Sequence, residues 1–314
     1  MLKKTSKLSF AVIFNASSGA KNQLSDFKKL LKKTYPSPDY TFKIIEISGQ
    51  IDLAKEIRTA LHLTKNFVIC GGDGTVRESI QHLAEDPHVT ITVIPMGSLN
   101  HFAKDIGQSL NIEEAVQAII NKHSQPIDIG KVNDFYYVNQ SSIGLYPTVA
   151  RHKQFWRKQG VGRVIATLIG TFKALHTFKT IKIEAKVNKK LLLKQSLMIF
   201  VGNNKYKLQS NNKESVPLAK RQNLDEHRLH FFILKKVTHF RLFTMIFHSL
   251  IGNLKQQNEF EEYFTDNLTI NSAKHKQSTI VSLDGEVYSM NFPLKYQIIP
   301  NGLKVKVFNP SHEK

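Results

Sequence analysis

One cysteine and one tryptophan stand in 314 residues, and acids are scarce: 25 Asp and Glu against 44 Lys and Arg. The single cysteine, Cys70, excludes a disulfide within the chain and fits a reducing compartment. It ends an apolar run, where a small buried residue is the expectation rather than a nucleophile. No run of uncharged apolar residues is long enough to cross a bilayer, so membrane contact is expected to be peripheral. Met1 to Lys7 is basic, but the apolar run behind it, Leu8 to Phe14, is short and lacks a cleavage site. No signal peptide is expected there. Zinc-ligand spacing and RNP-like aromatic motifs are missing, and thirteen histidines show no transition-metal spacing. Nucleic acid is therefore not the expected partner.

What remains is an ordered, strongly basic chain. Hydrophobic content of 41% and charged content of 22% fit a globular protein, and the length allows two cores. A net charge of +19 favours polyanions. An anionic membrane surface is the better reading, beside the plain one of solubility.

Up to about residue 134, strand-like and helix-like segments alternate. Apolar runs at Leu8 to Phe14, Tyr40 to Ile47, Phe67 to Cys70 and Thr90 to Ile94 alternate with helical patterns at Leu24 to Leu31, Ile51 to Leu61, Val76 to Leu83 and Ile112 to Ile120. That alternation predicts a parallel sheet covered by helices, with ligands beyond the carboxyl ends of the strands. Loops starting at Asn15, Gly71 and Pro95 follow strands and can share that edge. Beyond Phe135 the pattern predicts a mostly antiparallel domain. One long amphipathic stretch, Arg151 to Thr177, is followed by strands at Thr180 to Val187, Leu191 to Val201 and Leu229 to Leu234. A helix at Thr238 to Leu254 follows. Short strands close the chain at Asn267 to Asn271, Thr279 to Leu283, Leu294 to Ile299 and Leu303 to Phe308. Asn203 to Gln222 reads as a loop.

The most informative motif is Gly71-Gly72-Asp73-Gly74-Thr75. A strand stops there and a helix begins. Glycines let the backbone approach a bulky anion, and amides at the helix start point at it with a favourable dipole. Asp73 beside such a site makes sense if a divalent cation or its water lies between acid and phosphate. A nucleotide polyphosphate is the expected ligand. The plain alternative is a tight strand–helix turn.

Several segments, in order, resemble the diacylglycerol kinase catalytic-domain family, in particular soluble bacterial lipid kinases that are themselves similar to sphingosine kinases. They are Asn15-Ala-Ser-Ser-Gly19, Gly71 to Glu78, Ile94-Pro-Met-Gly-Ser-Leu-Asn-His-Phe-Ala-Lys104, Asn139 to Gly144 and Leu283-Asp-Gly-Glu286. The resemblance implies a Rossmann-like α/β nucleotide domain over 1–134, rejoined by the terminal strand 302–314. It implies a second, antiparallel β-rich domain, a β-sandwich, over 135–301. It implies ATP-dependent phosphorylation of a diacylglycerol-like lipid hydroxyl, with ATP and Mg²⁺ as cofactors. The lipid would be met at an anionic membrane by a cytoplasmic, peripherally associated protein, and a homodimer is compatible with it.

Residue by residue, the resemblance assigns the nucleotide to Asn15, Ser48, Gly71, Gly72, Asp73, Gly74, Thr75, Val76, Arg77, Gly97, Ser98 and Asn100. Asp73, Asp128, Asp225 and Glu226 are the implied metal positions, the last two in a loop that carries a structural Mg²⁺ in relatives. Asp73, Asp284 and Glu286 are the implied catalytic acids. Either Asp284 or Glu286 would act on the lipid hydroxyl, with analogy favouring Asp284; read without the resemblance, Asp284-Gly285 is a hairpin turn.

The chain departs from the family pattern at several positions. His101 stands where Asp is common, Arg77 where Asn is frequent, Ser98 for Thr, Ala16 for Pro, and His227 for the Gly of the metal loop. Three competing readings stay open. They are a NAD kinase-like enzyme, a catalytically weak nucleotide- or lipid-binding regulator, and a basic membrane- or nucleic-acid-binding protein. Arg151 to Lys158 mixes Phe155 and Trp156 with cations, which suits either a lipid headgroup interface or the solvated end of a core-packing helix.

Overall fold

A computed structural model describes residues 7–15, 23–36, 38–47, 51–177, 180–187, 190–206, 221, 223–234, 260–273 and 277–308. Ser48, the loop from Ala16 to Gly19 and the helix expected at Thr238 to Leu254 lie outside them, as does most of the loop expected at Asn203 to Gln222. The chain divides into two compact units, Met1–Ile127 with Asn301–Lys314, and Asp128–Pro300.

In the first unit β1 (Leu8–Asn15), α1 (Gln23–Thr34), β2 (Tyr40–Ile47), α2 (Leu53–Leu61), β3 (Asn66–Gly71), α3 (Asp73–Leu83) and β4 (Thr90–Pro95) alternate. The short helices α4 (His101–Asp105) and α5 (Ile112–Gln117) follow. The strands run parallel in the order β2-β1-β3-β4, and residues Lys304 to Lys306 of the last strand extend the sheet beside β4. Phe10, Val12 and Phe14 of β1 pack with Phe27 and Leu31 of α1 and with Ala115 and Val116 of α5. Ala11 and Ile13, pointing the other way by strand alternation, are equally buried. A strand covered on both faces reads as an unbroken apolar run, which is why β1, β3 and β4 were visible in the sequence. Asp52 caps α2 by accepting from the Lys55 amide, and Asn111 caps α5 by accepting from the amides of Glu113 and Glu114.

The second unit begins within β5 (Gln125–Val132), followed by β6 (Phe135–Tyr137), β7 (Gln140–Gly144), α6 (Leu145–Lys158) and α7 (Arg163–Thr177). Then come β8 (Ile181–Val187), β9 (Lys190–Ser196), β10 (Met198–Asn203), β11 (Leu229–Leu234), β12 (Phe260–Thr265), β13 (Asn267–Ser272), β14 (Ser278–Leu283), β15 (Glu286–Asn291) and β16 (Leu294–Lys306). One antiparallel sheet has the order β12-β11-β10-β7-β14-β15. The amino-terminal half of β16 pairs antiparallel with β13, which continues to β8 and β9. Ile143, Val201, Phe231 and Leu283 from the first set meet Ile183, Leu268, Ile270 and Tyr296 from the second in one core. That is a sandwich of two sheets, the expected class.

Three segments differ from expectation. Arg151 to Thr177 is two helices, because Gly160 at φ 81 takes the left-handed conformation that ends α6. Leu191 to Val201 is two strands in different sheets. The turn is held at Ser196, whose buried hydroxyl accepts from the Met198 amide and lies 2.6 Å from the Leu234 carbonyl. The strands expected at Leu294 to Ile299 and Leu303 to Phe308 are one long strand, Leu294–Lys306. The strands β12 and β15, unmarked in the sequence pattern, lie at the two edges of their sheet. Edge strands bury less and carry a weaker apolar signature, as the adjacent Glu261 and Glu262 of β12 illustrate.

Candidate functional site

In the first unit the carboxyl ends of β1, β3 and β4 are drawn together by four contacts. Asn15 Nδ2 donates to Thr75 Oγ1 at 2.9 Å. The Met96 amide donates to the Gly71 carbonyl at 3.1 Å. Gly72 and Gly97 approach backbone to backbone: a Cβ on Gly72 would stand 3.1 Å from the Gly97 Cα, and one on Gly97 would fall within contact distance of the Gly72 Cα. The Asp73 carboxylate accepts from the amides of His101 (3.1 Å) and Phe102 (2.9 Å), tying α4 to the start of α3. Asn100, at φ 52, closes the loop on itself. Its Oδ1 accepts from the Gly97 amide at 2.9 Å and its Nδ2 donates to the Gly97 carbonyl at 2.8 Å.

Helix α3 starts at Asp73 without a side-chain cap, and its first intrahelical bond runs from the Val76 amide to the Gly72 carbonyl at 3.1 Å. The amides of Asp73, Gly74 and Thr75 precede that bond, and they are the donors a helix start offers to an anion. Gly74 and Ser98 are exposed beside them. Val76 is buried and its amide already serves the helix, so it contributes no donor. Arg77 is 8% exposed, so its guanidinium belongs to the packed body of the unit rather than to the exposed loop. At His101 the bond to Asp73 is made by the backbone, so this bond is indifferent to the side chain there.

The cradle fits a polyphosphate: glycine faces that a Cβ would fill, with helix-start amides beside them. One carboxylate, already serving two amides, fits a divalent cation coordinated mainly by phosphate oxygens and water.

In the second unit, Asp284 and Gly285 form the two-residue turn between β14 and β15, at φ 48 and φ 92. The Asp284 carboxylate accepts three backbone bonds: from Val138 (2.8 Å), Asn139 (2.8 Å) and Gln140 (2.9 Å). A carboxylate has about four lone-pair positions, so three are spent anchoring the hairpin. Tyr137 and Tyr146 are neighbours; burial, with Asp284 adding to it, pushes both phenols up and keeps them neutral. Glu286, two residues on, is exposed and accepts from Gln154 Nε2 of α6 at 3.1 Å. Of the two acids, Glu286 is thus the more exposed and Asp284 the more fully engaged by backbone.

The implied structural metal loop is built differently. Asp128 is fully buried, and its oxygens accept from the His227 amide (2.7 Å) and meet the His227 ring Nδ1 (2.9 Å). Its carbonyl accepts from Asn203 Nδ2 and its amide donates to the Leu224 carbonyl. Glu226 serves the Lys205 amide and the Asn223 side chain, and Asp225 is exposed. Among the described residues, no three His, Cys, Asp or Glu side chains gather to hold a metal ion. These residues do not fit a bound cation, since the imidazole stands in its place. His227 has φ 57, the conformation for which glycine is the natural residue.

Sequence reasoning missed Val138, Gln154 and Asn203 and gave Asn139 and Gln140 no role, although Asn139 to Gly144 stands among the resembling segments. The Asp-Gly pair marked the turn rather than what the turn holds.

Residues 9–132 match the family model of the diacylglycerol kinase catalytic domain. Diacylglycerol kinases of Staphylococcus aureus strains JH9 and NCTC 8325 / PS 47 are each 30% identical over 197 residues, covering 61% of this chain and 61% of the relative. The match thus spans about three fifths of the length of those curated relatives. A crystal structure of a diacylglycerol kinase from Bacillus anthracis str. Sterne aligns with a TM-score of 0.66 at 19% identity, over 97% of this chain and 98% of that one. A second structure from the same organism aligns with a TM-score of 0.72 at 21% identity over the same shares. At such identities these structures speak for the fold alone.

Proposed function

We propose, from the match of residues 9–132 to the diacylglycerol kinase catalytic-domain model, that the chain transfers a phosphoryl group from ATP to the hydroxyl of a diacylglycerol-like lipid. The observation that carries this reading is the Gly72–Gly97 contact at the start of α3, which strips a helix amino terminus of side chains where an anion can lie. ATP, when bound, supplies the phosphoryl group, its charge shared with Mg²⁺.

The chain's own residues do the positioning. Amides of Asp73, Gly74 and Thr75 hold phosphate oxygens, and Asn15 fixes the Thr75 hydroxyl at the same edge. Asp73 locks α4 against α3, so the loop keeps its shape whether or not ligand is present. Glu286 orients the lipid hydroxyl and takes its proton, and Asp284 holds the turn that presents Glu286. The lipid is met at an anionic membrane surface by a cytoplasmic, peripherally bound protein.

Radiolabelled ATP supplied with diacylglycerol in mixed micelles, beside sphingoid base, monoacylglycerol and NAD, tests the reading. Label is expected in diacylglycerol. Label in NAD alone, or in none of them, overturns it. A second reading, a nucleotide-binding regulator without turnover, draws on the engagement of both Asp73 and Asp284 by backbone amides. ATP binding without transfer to any lipid would select it.

A further inference from the structure

The helices α6 and α7 pack against each other as a hairpin. Lys173 Nζ lies 4.9 Å from the Trp156 ring centre, which fixes their register. The inner side uses small residues: Ala166 and Ala174 are fully buried, and Ala174 joins Leu145, Leu197 and Leu234 in a local core. The outer side does not follow the rule for a core-packing helix. Phe155 is 56% exposed, Ile165 57% and Phe172 75%. Phe155 and Phe172 directly precede the two residues of the cation–π contact, so they stand at the same level of the hairpin. Ile165 and Phe172 are seven apart and share one face of α7.

Charge points to the occupant. Residues 145–177 contain six Lys and Arg and no Asp or Glu. Burial first, then Arg151 of α6 and Lys173 of α7, hold the His152 ring below its ordinary pKa, so a cation from each helix acts on it. A second copy of this hairpin would bring the same excess of Lys and Arg with no acid to meet it; a sheet of lipid phosphates would complement that charge. Exposed aromatics between cations are the composition of a helix that lies in a headgroup layer.

We propose that the α6–α7 hairpin docks the protein on an anionic lipid bilayer, with Phe155, Ile165 and Phe172 entering the boundary between headgroups and acyl chains. The inference rests on the lipid-kinase reading for its purpose, and it adds a link to it. Gln154, which holds Glu286, is the residue immediately before Phe155. The acid assigned to the lipid hydroxyl is thereby tied to the helix that meets the lipid.

Sedimentation with phosphatidylcholine vesicles, with and without phosphatidylglycerol, tests docking. The wild-type protein should bind only the anionic vesicles and be released by salt. Phe155→Ser with Phe172→Ser should weaken binding about 100-fold, roughly tenfold per ring removed from the interface. Leu191→Ser with Leu193→Ser, also exposed but on β9, should bind as wild type. Transfer to a monomeric short-chain diacylglycerol should be unchanged in both double variants. Unaltered vesicle binding by the Phe155/Phe172 variant overturns the docking surface, as does its conversion of a dimer to a monomer with vesicle binding intact. Failure of every protein to phosphorylate the short-chain lipid counts against the kinase reading and leaves the vesicle result to decide the docking surface.

Discussion

The glycine edge of the first unit and the carboxylate hairpin of the second are built from opposite materials. At the glycine edge, shape comes from bare backbone and from contacts that span 3 to 60 positions. At the hairpin, Asp284 reaches back 144 to 146 positions to collect three amides. In both regions an aspartate clamps backbone, yet only the first clamp sits inside a compact motif. A site made by backbone is sensitive to added volume and tolerant of exposed side-chain changes. A site made by distant side chains responds to lost polar groups.

The largest effect should separate brace from base. Glu286→Gln should lower kcat by about 10² to 10⁴-fold, the usual range for a proton-transfer group, with melting unchanged because the side chain is exposed. Asp284→Asn should instead cost about 3 kcal/mol of stability, since the amide group turns a donor toward backbone N–H groups that need an acceptor. A stable but inactive Asp284→Asn beside an active Glu286→Gln would exchange the two roles.

At the other region, Gly97→Ala should cost about 1–3 kcal/mol by forcing Gly72 away, and should abolish binding of a fluorescent ATP analogue. Ser98→Ala, on an exposed neighbour, should leave melting within about 0.5 kcal/mol of wild type. If the two variants melt and bind alike, the glycine edge is not held by backbone contact.

A smaller effect distinguishes the second unit by pH. His230 is buried between Phe232 and Phe264, with Nδ1 accepting from the Tyr206 amide and Nε2 3.2 Å from a Glu262 oxygen. Burial first, then Lys205 and Arg228, lower its pKa from 6.5 to about 3. The folded value lies below the unfolded one, so the unfolded chain binds the proton first as pH falls. The contribution of neutral His230 is complete above pH 6.5 and declines by at most about 1.4 kcal/mol per unit below it, until the folded pKa is reached. Urea titrations over that window should show a shallower pH slope for His230→Gln than for wild type. Equal slopes would place the acid sensitivity elsewhere.

These differences also explain what was legible beforehand. The parallel sheet was visible because β1, β3 and β4 are covered on both faces, leaving apolar runs that stop at glycine. The loops at Asn15, Gly71 and Pro95 were placed together because each follows a strand of one parallel sheet. Position in a motif did not reveal that Val76 has no amide to spare or that Arg77 is buried; both follow from the helix geometry of α3. In the second unit, edge strands blurred the pattern. The partners of Asp128, at 75 and 99 positions away, could not be read from spacing.

The smallest effect concerns the loop where an imidazole stands in for a cation. His227→Gly keeps the backbone bond from residue 227 to Asp128 Oδ2 but removes the ring from Oδ1 of a fully buried carboxylate. Losing a hydrogen bond to a charged group costs about 1.5–3 kcal/mol. Glycine recovers about 1 kcal/mol by relieving the left-handed backbone at φ 57. The balance is a net loss of about 1 kcal/mol, against about 2 kcal/mol for His227→Ala, which loses the ring and keeps the strain. Melting curves in EDTA should therefore rank wild type above His227→Gly above His227→Ala. Wild-type melting should be the same in Mg²⁺ as in EDTA when nucleotide is absent, because the carboxylate a cation would need is already occupied. A wild-type protein that gains several degrees from Mg²⁺ under those conditions would show that the ring leaves Asp128 readily and that the imidazole has not replaced the ion.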